Sequence, residues 1–436
     1  MKRTVPTAGA DNITLYMRTY YSLLRTTQEV QIRTLEGTHT QMSPALHAKA
    51  AEETPDVSAL VYSGMRLPFC ISDVRLIVMG QTEEIFRDRG YHDIESWQPV
   101  SAPGRRRRML YDGEETLAAY IASISDVDDI VPILTAFQIE WNKIRYLLSL
   151  QRGLGERLVN WAARGEPDAT LQTDTLQALR LSPENWSNLA SAWGDKLPHL
   201  LANIAQHRKR MAVRLLAGSY VDYRRATQRW WWHVTDNAPL DLSKRPVYFV
   251  SSNTHSVVNM LSGFAQHHED ELRNYLESSA PSDLQEEAKR IEKREVPSDW
   301  SNFLYYTLKK HLATPEGADL QEARRVYEAK HGITRIPSSQ TFDLEAQVIE
   351  LSSLEPDDLD DRLQDLPLEQ LADSQALILN IDYPLGFAAY HLLTRVAASA
   401  GALRGLYIIG KAATLNGRIG DVIVPNVVYD EHSQNT

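Results

Sequence analysis

Residues 376–425 read ALILNIDYPLG, FAAYHLLTRVAASAGALR and GLYIIGKAATLNGRIGDVIVP, and the reading of this stretch decides the fold class. The apolar run Leu377–Ile381 meets a loop at Asp382–Gly386. A helical pattern follows, with Ala388, Leu392, Leu393, Val396 and Ala397 on one face. A second apolar run, Leu406–Ile409, opens into Gly410, and a third, Asp421–Val424, follows Gly420. Short continuous apolar blocks separated by a helix predict a strand–helix–strand unit of the parallel kind, because such strands are buried on both faces. Ligands on such sheets sit in loops at the carboxyl ends of the strands. That makes Asp382–Gly386 and Gly410–Gly417 the candidate binding loops.

Working back from this stretch, the composition shifts at Lys244-Arg245-Pro246. Val247–Val250 then reads as a first strand, Ser251–Ser256 as a polar turn and Val257–Leu276 as a helix. We expect an α/β domain with a mixed, largely parallel sheet over 244–436, interrupted by a helical insertion at about 277–335. Ala346–Leu351 is a strand candidate, and the acidic segment Glu355–Asp373 reads as a solvated helix or linker. Residues 151–243 read as almost wholly helical. Residues 1–150 read as a mixed but helix-rich α/β domain, with strands at Arg75–Met79 and Arg107–Tyr111 and helices at Glu83–Asp88, Glu114–Ile124 and Ile130–Leu150. No internal repeat is evident in the residues.

A chain of 436 residues has room for two or three domains. With 43% hydrophobic and 24% charged residues its composition is that of a globular protein. The single cysteine, Cys70, excludes an intrachain disulfide and a cysteine-based metal centre, which suits a reducing, cytoplasmic setting. The start, MKRTVPTAGADNITLYMR, lacks the apolar core of a signal peptide, and no run is long enough to span a membrane. A net charge of −11 argues against a nucleic-acid partner, which calls for a basic face.

The C-terminal segment resembles the first half of the nucleoside phosphorylase and nucleosidase superfamily over about sixty residues. The resemblance rests on the loop ending in Gly386, on Gly410-Lys411-Ala412-Ala413-Thr414-Leu415-Asn416 and on Gly420-Asp421 with its following Val-Ile-Val. It implies cleavage or binding of an N-glycosidic nucleoside or nucleotide through an oxocarbenium-like transition state. It also implies phosphate as a possible co-substrate, no cofactor, and assembly into a homo-oligomer. The sequence departs from the family in two places. Ala413-Thr414 stands where the family has Gly-Gly, and the first loop carries Asp382 where phosphorylases offer Arg or His. A carboxylate repels phosphate, which favours a nucleosidase or a binding protein without turnover. The family's ribose-gripping Glu and base-protonating Asp come from its second half, so the resemblance implies that this chain is incomplete or inactive without that half.

Each candidate residue carries two readings. Ser251, Ser252, Asn253 and His255 sit between a strand and a helix start, where backbone N–H groups hold phosphate or ribose; the same residue types also serve as helix caps. Gly410 lets the backbone approach a ligand, with Lys411, Ala412 and Asn416 beside it; otherwise the segment is a tight turn. Asp382 could accept ribose hydroxyls or activate water, or shape the turn before Pro384. His255 and Asp382 are thus the candidate catalytic residues. Arg105-Arg106-Arg107-Arg108 could clamp an anion with bidentate bonds, or neutralise Asp126, Asp128 and Asp129. His39 and His47 with Glu36 lack the further ligand a metal site needs, so no metal is expected. Trp230–Trp232 reads as core or an inter-domain contact, since three adjacent residues of a helix point in different directions.

Overall fold

The computed structural model of the chain describes residues 10–25, 28–42, 45–165, 170–296, 298–338, 344–383, 387–410 and 421–426. It is a mixed α/β protein with two sheets, of six and five strands. The chain divides into two compact units, the first built on residues up to Tyr223 and the second on Arg224–Pro425.

In the first unit the strands are β1 (Val30–Gln31), β2 (Leu76–Gly80), β3 (Gln98–Ala102), β4 (Arg105–Tyr111), β5 (Thr116–Tyr120) and β6 (Ala212–Leu215). Their order across the sheet is β1-β6-β2-β5-β4-β3. β2 runs parallel to both β5 and β6, and β4 and β3 add on as antiparallel neighbours. Alternate residues feed two apolar clusters. Ile77, Met79, Leu117, Ala119 and Val213 join the large one, which includes Leu134, Phe137 and Trp141 of the helix Ile124–Ser149. Leu76, Val78, Leu110, Ala118 and Ala212 pack against Phe86 and Trp97 on the other face. Burial on both faces is why these strands read as unbroken apolar runs.

In the second unit the strands are β7 (Pro246–Ser252), β8 (Ile333–Ile336), β9 (Ala346–Glu350), β10 (Leu377–Asp382) and β11 (Ala402–Ile408), in the order β11-β7-β10-β9-β8. β7 is parallel to β10 and β11, while β9 is antiparallel to β10 and β8. The two units therefore share one plan. A first strand (β2 or β7) lies inside the sheet, and an antiparallel pair (β3-β4 or β8-β9) forms one side. A return strand (β5 or β10) pairs parallel to the first, and a last parallel strand (β6 or β11) lies on its far side. β1 is an addition peculiar to the first unit.

Several expectations are corrected. The stretch 114–124 is β5 with a helix starting at Ile124, not a helix throughout: Leu117-Ala118-Ala119-Tyr120 is a buried parallel strand whose alanines mimic a helical composition. The region 151–243 contains β6, four residues that complete the first sheet. The helix expected at 257–276 is three helices, Ser256–Ser262, Phe264–His267 and Glu269–Ser278. They break at Gly263, whose φ of +61° favours glycine and where a Cβ would meet the Asp358 carbonyl oxygen at 2.2 Å. β10 and β11 flank β7 and do not pair with each other. Asp421–Val424 pairs with no strand among the described residues, and Val422 and Val424 are exposed. The acidic segment is a series of short 3-10 turns whose Asp360 is fully buried. Trp230 and Trp231 are core as expected, while Trp232 is exposed.

Candidate functional site

The carboxyl ends of β7, β10 and β11 bring together the described starts of the expected loops, Asp382-Tyr383 and Gly410, beside the turn after β7. The Ile409 N–H donates to the Ser251 carbonyl at 2.9 Å, which fixes the exit of β11 beside the exit of β7. Gly410 lies against the Tyr383 ring, which a Cβ at that position would meet at 3.3 Å. Lys411, Ala412 and Asn416 lie outside the described residues.

Beneath these exits is a buried chain of neutral hydrogen bonds. Ser252 Oγ donates to Asn380 Oδ1 at 2.8 Å, Asn380 Nδ2 to Gln347 Oε1 at 2.8 Å, and Gln347 Nε2 to the Thr254 carbonyl at 2.8 Å. Ser252, Asn380 and Gln347 are almost inaccessible to solvent. Buried polar groups are kept only when bonded, so this network fixes the register of β7, β10 and β9 around the loop. Asn253 performs the capping role that was the alternative reading of this turn. Its Oδ1 accepts the His255 and Ser256 N–H groups, at 3.0 and 2.5 Å. Ser251 is a buried strand residue.

Beyond the turn a cavity of ≈ 320 Å³ opens between Thr254 and His255, Asn259 of the following helix, the ends of β8 and β9, and two helices of the expected insertion. Tyr305, Leu308 and Lys309 come from the helix Trp300–His311, and Gln321 and Arg324 from the helix Ala318–Lys330; Arg335, Pro337 and Glu345 complete the wall. Arg335 is held on every side. Its Nε and Nη2 donate to Glu328 at 2.7 and 2.8 Å, and its Nη1 to Glu345 and to the Thr254 carbonyl at 3.0 Å. Arg324 differs: its Nε is buried without a hydrogen-bond partner, and the nearest Glu328 oxygen is 3.9 Å away. Burial, with the neighbouring Arg335 charge, pushes its guanidinium pKa down. The back of the Trp300–His311 helix is anchored by Tyr305, whose hydroxyl bonds the buried Asp360 carboxylate. Burial opposes that charge, but hydrogen bonds from Arg362 and Tyr305 outweigh it and hold the Asp360 pKa down at about 2.

Among the expected site residues, His255 lines this cavity and Asp382 does not. The Asp382 N–H donates to the Glu345 carbonyl at 3.1 Å, and its Oδ1 accepts the Tyr383 N–H at 3.1 Å. Sequence reasoning missed Thr254, Asn259, Lys309, Arg324, Arg335 and Glu345. The signal available was Gln347 and Asn380, polar residues inside otherwise apolar strands.

The arginine run lies in the first unit, at the equivalent strand end. Arg107 Nε donates to Asp126 Oδ1 at 3.1 Å and Arg105 Nη1 to Asp129 Oδ2 at 2.5 Å; Arg108 pairs with Glu83 on the opposite face. Asp126 also accepts the Ala122 and Ser123 N–H groups at 2.6 and 3.0 Å. Its carboxylate sits at the start of a 26-residue helix, the place an anion would take. The side chain of Arg106 is outside the description. The two histidines singled out from spacing do meet: His39 Nε2 and His47 Nδ1 are 3.0 Å apart, and His47 Nε2 lies 2.8 Å from Glu140 Oε1, all three buried. Glu36 instead accepts from Gln138. Among the described residues, no group of three or more His, Cys, Asp or Glu is placed to hold a metal ion. A second cavity, of ≈ 560 Å³, lies among the helices of the first unit beside the stacked Trp161 and Trp186 rings. No helix among the described residues is long and apolar enough to cross a membrane.

Over residues 32–436 the chain matches a family of unknown function, DUF6909, and it belongs to that family. No curated protein and no solved structure matches it.

Proposed function

We propose that this member of the DUF6909 family acts on a nucleoside or nucleotide at the strand ends of its second unit, as a nucleosidase or phosphorylase-like enzyme. The observation that carries the reading is the ≈ 320 Å³ cavity beside the carboxyl end of β7, within the size range of small-molecule pockets, ~300–1,000 Å³. Open α/β sheets bind ligands at that end. His255 faces the ligand as a hydrogen-bond donor, and the fixed turn Ser251–Asn253 presents backbone groups to ribose. The protein works in the cytoplasm as a homo-oligomer, without a cofactor, with water or phosphate as acceptor.

A second reading, binding without chemistry, draws support from one observation: Asp382, the other candidate catalytic residue, is outside the lining of the cavity. The two readings separate on chromatographic release of free base from a panel of nucleosides and nucleotides, with and without phosphate. The enzyme reading expects release that His255→Ala reduces at least 100-fold. Ligand-induced thermal stabilisation without release leaves the binding reading standing, and neither effect removes both.

A further inference from the structure

We infer that the cavity of the second unit carries a phosphate subsite made by Arg324 and Lys309, so that its ligand is a phosphate ester and not a free nucleoside. The inference rests on the proposal that this cavity is the ligand site, and it adds the ligand's charge class.

Three cationic side chains line the cavity: Arg324, Arg335 and Lys309. The carboxylates near them, Glu328 and Glu345, are both hydrogen-bonded to Arg335, which is thereby neutralised and locked. Two cations remain. Arg324 Nε is buried and makes no hydrogen bond, and 3.9 Å from the nearest carboxylate oxygen is beyond a bond. Lys309 has no acidic partner within reach among the described residues. An unpaired buried guanidinium N–H carries a desolvation cost that an incoming acceptor relieves. Guanidinium groups match phosphate oxygens in geometry, while a lysine adds a point charge. The arrangement is local: in a chain of net charge −11 this wall presents its free charges as positive. The volume, ≈ 320 Å³, suits a ligand no larger than a mononucleotide. Neither residue comes from the strand-end loops, so the subsite belongs to the helical insertion.

The test is calorimetric titration of the full chain with ribose 5-phosphate, adenosine 5′-monophosphate and adenosine. Wild-type protein is expected to bind the phosphate esters at least 10-fold tighter than adenosine, and Arg324→Gln to lose most of that preference. Lys309→Met, at an exposed position, gives an independent loss of at least 3-fold should Arg324→Gln fail to fold. Binding of ribose 5-phosphate but of neither adenine compound upholds the subsite and sinks the nucleoside reading. Adenosine bound as tightly as its monophosphate, with both variants unchanged, overturns the subsite and spares that reading. Failure of both phosphate esters to bind the wild type overturns the subsite.

Discussion

The two units solve one architectural plan in opposite ways. Both place parallel strand ends beside a helix start, with the first residues of an antiparallel strand facing them (β4 in the first unit, β9 in the second). In the first unit that strand begins with arginines, and the acids of the following helix fill the space: Asp126 takes two backbone N–H groups and Arg107 at once. In the second unit the strand begins beside Glu345 and Gln347, which satisfy Arg335 and Thr254, and a cavity is left with Arg324 turned to it. In one copy the cations are paired with the unit's own acids, although Arg105 Nε and Nη2 and Arg107 Nη2 stay buried without a hydrogen bond, and in the other they line a cavity of ≈ 320 Å³. A dense basic run is therefore a poor guide to an anion site when carboxylates of the same unit reach it first.

The comparison is broken most forcefully in the first unit. Asp126→Ala leaves Arg105 and Arg107 buried without their shared carboxylate, and removing one partner of a buried ion pair costs about 3–5 kcal/mol. Urea unfolding is expected to show a lower midpoint and an unfolding free energy reduced by that amount, and an unchanged midpoint contradicts the structural role given to the arginines. The second unit relies on neutral bonds, so its equivalent lesion is smaller. Asn380→Leu strips partners from Ser252 and Gln347 and is expected to cost about 1–3 kcal/mol. Hydrogen exchange would locate that loss in β7, β9 and β10.

A pH titration gives the smallest of these effects, and the group that carries it, His39, lies in the first unit. Burial, and then the adjacent His47, lower the His39 pKa from its ordinary 6.5 to about 3. The unfolded chain therefore takes up this proton first as pH falls. The stability that His39 contributes is complete above about pH 6.5 and is lost progressively toward pH 3, by about 1 kcal/mol between pH 7 and 5.5. His39→Leu is expected to flatten this part of the stability–pH curve; a curve of unchanged slope contradicts the buried neutral imidazole.

The residues make the second sheet largely legible, because β7, β9 and β10 are apolar runs of strand length with turn signals at their ends. The first sheet is harder to read. β5 carries two alanines in a context that suits a helix, and β6 is four residues hidden behind His207-Arg208-Lys209-Arg210. The shared plan is invisible in sequence, since it resides in strand order and not in repeated residues. The rule for parallel sheets points to the strand ends, but the cavity is lined by Thr254 and His255 of the turn after β7 and by no described residue of the loops after β10 and β11. The cavity itself is not legible: Thr254, Lys309, Arg324, Arg335 and Glu345 come from separate elements, and no spacing links them. Spacing suggests His39 and His47 on one side of a single helix; they meet instead from two elements, Arg33–Met42 and Ala45–His47, and their partner Glu140 arrives from a distant helix to make a hydrogen-bonded relay in the core.

The most direct test of this contrast is hydrogen exchange of the full chain with and without adenosine 5′-monophosphate. The open second unit predicts added protection at residues 254–259, 305–309, 321–335 and 345, with no change at 81–83, 105–108 and 122–126. Protection centred on the arginine run of the first unit, with the second unit unaffected, would contradict it.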